Sequence, residues 1–113
     1  MGRIRGTRRV ADFNELYRDP LPAGSSPDAY NQRQALFEKE FDWEMLRWSL
    51  LKAARSFDVG YDETDLEGIK RNAGYDAVHL GSWPRYLNAI QRYFDNAVEN
   101  YRQRSSNVPG KGR

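Results

Sequence analysis

Between Ser26 and Gly60 the apolar residues recur at three- and four-residue intervals, the spacing of a helix rather than the alternation of a strand. Ser26-Pro27-Asp28 is a helix start. The serine caps, the proline occupies the first helical position, where a missing N–H costs nothing, and the acid meets the positive end of the helix dipole. The helical pattern continues to Phe57 and meets a stop at Asp58-Val59-Gly60, so the spacing predicts one helix over 27–57, about 45 Å long at 1.5 Å per residue. With 100° per residue, Tyr30, Phe37, Phe41, Met45, Trp48 and Leu51 fall on one side. Leu36, Trp43, Leu46, Leu50, Ala54 and Phe57 fall nearly opposite. A helix with two apolar faces requires packing on both, and this one is expected to be the spine of the fold.

Thr64-Asp65-Leu66-Glu67 matches the capping box, which predicts a second helix from Asp65 with Leu66 and Ile69 inward. Gly74 weakens that helix beyond Ala73, leaving Ala77, Val78 and Leu80 to a separate short turn before Gly81. A third helix begins near Ser82-Trp83-Pro84, with the proline in its first turn, and carries Tyr86, Ile90, Tyr93, Phe94, Ala97 and Tyr101 at helical spacing to about Gln103. Upstream, Phe13, Leu16 and Tyr17 form the apolar stripe of a short helix over 10–18. It is followed by the Pro- and Ser-rich stretch 19–27, which reads as a semi-extended linker. The expected class is therefore all-α: a small helical bundle around one long central helix, with extended basic arms at both ends. The expected divisions are 1–26 (basic arm, short helix and linker), 27–104 (helical body) and 105–113 (basic tail).

Charge sharpens this picture. The chain has 113 residues, with 18 Lys and Arg against 16 Asp and Glu. Residues 1–9 hold Arg3, Arg5, Arg8 and Arg9 and no acid; residues 102–113 hold four bases and no acid. The stretch between carries ten bases against all sixteen acids. Basic arms flanking an acidic body attract polyanions, and Arg3, Arg5, Arg8 and Arg9, interspersed with Gly2 and Gly6, suit contact with a nucleic-acid backbone or an acidic protein surface. Neither an apolar run of bilayer length nor an apolar segment after the basic N-terminus is present, so the expectation is a cytoplasmic protein, or one inside a virus-like particle, with no membrane partner.

Catalytic chemistry finds few candidates. The chain has no Cys and a single imidazole, His79, which excludes thiolate chemistry and any site needing two histidines; Val78 and Leu80 beside it suggest partial packing. Gly110-Lys111 has no upstream phosphate-loop glycine, and no serine sits in a nucleophile elbow. Glu38 and Asp42 share one side of the predicted spine and Glu40 and Glu44 another, about 160° away, so the four do not converge on a metal ion. Asp58, Asp62, Glu63, Asp65 and Glu67 cluster around a helix start without the alternate spacing of a calcium loop, which suits capping. The expectation is a protein without catalytic residues, metal or cofactor.

Three Trp, seven Tyr and five Phe exceed what a minimal helical core needs. Trp43, Phe57, Phe37 and Phe94 are candidates for the core. Trp83 and Tyr86, with Tyr75 and Tyr93, are candidates for an exposed anchor surface, and Phe13, Leu16 and Tyr17 for a docking helix. The leading functional expectation is a structural or adaptor protein that assembles with itself or with a larger complex; by analogy, a component of a phage-like particle is one form of it. The alternatives are a small nucleic-acid-binding protein that uses its basic arms, and an inhibitor whose acidic body occupies another machine's binding site.

Overall fold

The computed structural model describes residues 17–107, which hold four helices and no strand: α1 (Pro27–Glu40), α2 (Trp43–Ser56), α3 (Glu63–Leu80) and α4 (Trp83–Asn107). The protein is all-α. The molecule measures 54 × 26 × 18 Å over the described residues, an elongated shape set by helices laid side by side.

α1 begins as its sequence dictates. Ser26 Oγ accepts from the Ala29 N–H at 3.2 Å, and Pro27 and Asp28 occupy the first turn. The single long spine, however, is not formed. At Phe41 the backbone turns extended (ψ 144°), and Asp42 starts a new helix by accepting from the Met45 N–H at 3.1 Å. The ends so created are satisfied locally. The Phe41 N–H closes α1 onto Phe37 O at 3.0 Å, and the Trp43 indole N–H donates to Glu38 O at 2.8 Å, a carbonyl that the interrupted helix leaves without its usual partner. Trp43 also packs on Phe41, ring centroids 4.5 Å apart, beneath the Lys70 ammonium.

This two-residue interruption resets the helical phase. Before it, Phe37 and Phe41 point into the core; after it, Leu46, Leu50 and Ala54 do, although an unbroken helix would place these two sets on opposite sides. One core thus takes the place of the two-sided packing that the pattern predicts. The longest helix is α4, with 25 residues, not the 27–57 segment.

α3 touches the other three helices. It runs antiparallel to α4, since Asp65 meets Tyr101 and Asp76 meets Tyr93. It also runs antiparallel to α1: Gly81, just past its end, meets Arg33, Gly74 meets Gln34, and Lys70 lies over Trp43, which opens α2 just beyond the end of α1. After the interruption α2 leaves α3 and lies mainly along α4.

Two expectations for α3 are corrected. Asp62, not Thr64, is its cap: the carboxylate accepts from the Thr64 N–H at 3.0 Å, and the helix starts at Glu63. The same backbone hydrogen bond holds the Asp62 carboxyl below its ordinary value. Nor does Gly74 end the helix, which runs through it to Leu80. A Cβ there would meet the Gln34 side-chain nitrogen at 2.7 Å, so the glycine serves the close approach of α1 to α3. The true stop is Gly81, at φ +70°, where a side chain would also meet Leu21 N at 2.9 Å. α2 ends in the same manner, with Asp58 in the left-handed position (φ 57°) and the Val59 N–H donating to Ala54 O at 2.9 Å.

Candidate interaction surface

The residues expected to meet partners separate into three groups. Phe13 and Leu16, and the arginines Arg3, Arg5, Arg8 and Arg9, lie outside the described residues. Tyr17 is held on its own domain. Its ring meets Phe37 edge-on at 5.9 Å, its carbonyl accepts from the Trp83 N–H at 2.8 Å, and the Arg33 guanidinium lies 5.1 Å from its ring centre. Arg33 further donates to Asp19 O at 3.0 Å and to Gly81 O, so the segment from Tyr17 to Leu21 is strapped over the α3–α4 turn. That strap bounds a cavity of about 440 Å³ lined by Tyr17, Leu21, Arg33 and Leu36.

Trp83 and Tyr86, read from the sequence as candidates for an exposed anchor, are core residues, 1% and 0% exposed. Both rings lie 5.3 Å from Phe37 and 5.8 Å from each other. The first turn of α4 turns these positions inward because α1 and the Tyr17 segment cover it. Burial raises the Tyr86 phenol well above its ordinary value, the nearby Glu38 charge adding to the effect, and its hydroxyl has no hydrogen-bond partner among the described residues. Tyr101, equally buried, is treated differently: its hydroxyl donates to Asp65 at 2.6 Å, and burial followed by that carboxylate raises its pKa.

Among the described residues the large apolar side chains left exposed are Trp48, 57% exposed, and Tyr75, 75% exposed. Tyr75 stands on α3 with Arg71 one turn before it and His79 one turn after. All three are exposed, so the partial packing expected of His79 is not what the fold provides. Trp48 occupies the outward side of α2, where the phase reset leaves it. Met45 and Leu51, three residues to either side, are partly exposed along the same row, and Glu44, Lys52 and Arg55 flank them. Glu44 is paired with Arg47 at 2.8 Å, while Lys52 and Arg55 have no ion pair among the described residues. Beside this row, toward α4, runs an open groove of about 480 Å³ floored by Ala53, Phe57, Phe94 and Val98, with Lys52 and Glu99 also along it.

A signal for this surface was present in the sequence. The two-sided pattern of 27–57 places Met45, Trp48 and Leu51 on one side together with Tyr30, Phe37 and Phe41; the break at Phe41 and Asp42 is what separates them from the buried part of that stripe. The described residues contain no group of three acidic or imidazole side chains placed to hold a metal ion, and no helix long and apolar enough to cross a membrane. Compared with known proteins, the chain matches no family, no curated protein and no solved structure.

Proposed function

We propose that this protein is a non-enzymatic assembly or adaptor component, joining copies of itself or a larger complex through an aromatic helical surface and its basic terminal segments. The observation that carries this reading is the exposure of Trp48 in line with Met45 and Leu51, in a fold that encloses Phe37, Trp83, Tyr86 and Tyr101 completely or nearly so. Desolvating an indole on a partner is worth more than desolvating most side chains, which is why tryptophan concentrates at the centres of interfaces. Tyr75 is a second exposed aromatic of the same kind. The sequence supports the non-catalytic part of the proposal through its inventory of one histidine and no cysteine.

A second reading, nucleic-acid binding through the arms, draws on Arg3, Arg5, Arg8 and Arg9 and on the four bases of residues 102–113, each segment without an acid. Native mass spectrometry of the purified chain, with and without a DNA duplex, separates the two. The assembly reading expects multimers whose stoichiometry is unchanged by DNA. A monomer that gains mass only with DNA, and loses it as salt rises, would replace it with the second reading.

A further inference from the structure

The row centred on Trp48 has an internal symmetry. On α2, Met45 and Leu51 lie three residues before and after Trp48, about 60° to either side of it. Glu44 and Lys52 lie four residues before and after, about 40° to either side. Equal distances from Trp48 therefore carry like chemistry in the apolar pair and opposite charge in the polar pair. A surface of that kind is complementary to itself when turned by a two-fold axis, which is the requirement of an isologous contact.

We infer that the outward face of α2 is a homotypic contact, in which two copies of the chain pack their α2 helices antiparallel with the two Trp48 side chains at the axis. The inference rests on the assembly reading and names its partner and its place. With two indoles between them the helix axes lie about 12 Å apart, and Glu44 of each copy stands at the height of Lys52 of the other, about 6 Å above or below the axis, with their Cβ atoms about 8 Å apart. That separation is within reach of a lysine–glutamate pair. Met45 and Leu51 meet at about 4.5 Å from the axis and close over the indoles. Arg55 continues the row one turn further, exposed and without an ion pair among the described residues.

Charge selects a second copy over an unrelated helix. Lys52 has no ion pair among the described residues, while Glu44, 63% exposed at its side chain although bonded to Arg47, remains open to a second cation. One 14-residue helix offers a contact at the small end of the range for specific interfaces, so the dimer is weak, with a dissociation constant of about 1 to 100 µM.

Sedimentation velocity on the full chain from about 5 µM to about 0.5 mM, with circular dichroism as the check on folding, tests this. Wild type is expected to shift from monomer to dimer over that range. Trp48→Asp, at an exposed position, should keep the helical signal and remain monomeric throughout. Lys52→Glu, which opposes two acids across each half of the contact, should weaken the dimer by at least tenfold. Combining it with Glu44→Lys should restore the dimer, because the exchange recreates both pairs. A wild type that forms oligomers indifferent to all of these changes overturns the α2 contact and leaves the assembly reading standing. A wild type that is monomeric throughout overturns the contact and the self-association part of that reading together.

Discussion

Phe37 and Phe41, and Met45, Trp48 and Leu51 after them, lie on one side of a single helical pattern in the sequence, yet the first pair is buried while Trp48 stands exposed with Met45 and Leu51 partly so. Their surroundings differ for a reason that lies at Phe41 and Asp42. Before that interruption the stripe containing Phe37 points into the core, where the Tyr17 segment and α4 close over it. After it, the continuation of the same stripe is turned out, and Leu46, Leu50 and Ala54 take its place. An apolar row at helical spacing is thus a candidate for burial, and which row is buried is decided by the phase of the helix that carries it.

The largest effects should separate the two regions outright. Phe37→Ala removes a fully buried ring that touches Tyr17, Trp83 and Tyr86 and should cost about 3 to 5 kcal/mol in chemical denaturation, whereas Trp48→Ala in dilute solution should stay within about 0.5 kcal/mol. Equal losses would erase the distinction. Next in size is the turn that holds the sealed side together. Gly81→Ala forces a side chain into a left-handed backbone against Leu21 N and should cost about 1 to 3 kcal/mol. Gly60→Ala, where a Cβ meets open space, should be neutral or gain up to about 1 kcal/mol, both read as shifts in denaturation midpoint.

A finer comparison concerns two buried phenols. Removing the Tyr101 hydroxyl breaks its hydrogen bond to Asp65 and should cost about 1 kcal/mol. Tyr86→Phe removes a hydroxyl without a partner among the described residues and should change stability by less than about 0.5 kcal/mol or increase it. A loss above about 1 kcal/mol for Tyr86→Phe would contradict this difference between the two hydroxyls.

The smallest effect at neutral pH belongs to the same phenols. Burial raises Tyr86 and Tyr101, and burial with the Glu63 hydrogen bond pushes Tyr61 up to about 12. The folded state holds these protons longer than the unfolded chain, where tyrosine ionises near 10, so their stabilising contribution is complete below about pH 10 and declines above it. Denaturation midpoints measured from pH 8 to 11 should therefore fall above pH 10, and less steeply in Tyr86→Phe.

Much of the fold was legible in the sequence because the signals were local. Ser26-Pro27-Asp28 starts α1, the stop after Phe57 ends α2, and Trp83-Pro84 opens α4. The interruption was not legible by the same means, since neither Phe41 nor Asp42 is a helix breaker. What stabilises it is the Asp42 cap together with the Trp43–Glu38 hydrogen bond, which completes the backbone of α1 from the other side of the break. Asp62 and Thr64 are both good caps two residues apart, and sequence alone does not choose between them. Gly74 signals weakness in a sequence and close packing in a structure, because the Gln34 side chain it admits lies forty residues away. The partner surface was misread for a similar reason: an excess of aromatics does not say which of them are covered, and it is Phe37 of α1, together with the Tyr17 segment, that makes Trp83 and Tyr86 core.

The central claim is that Trp48 faces outward and is covered only by association. Acrylamide quenching of single-tryptophan variants tests it most directly: Trp43→Phe with Trp83→Phe keeps Trp48, and Trp43→Phe with Trp48→Phe keeps Trp83. In dilute solution Trp48 should be quenched several-fold faster than Trp83, and its quenching should fall as protein concentration rises, while Trp83 stays protected at every concentration. Equal quenching of the two, or a Trp48 already protected when dilute, would contradict the account.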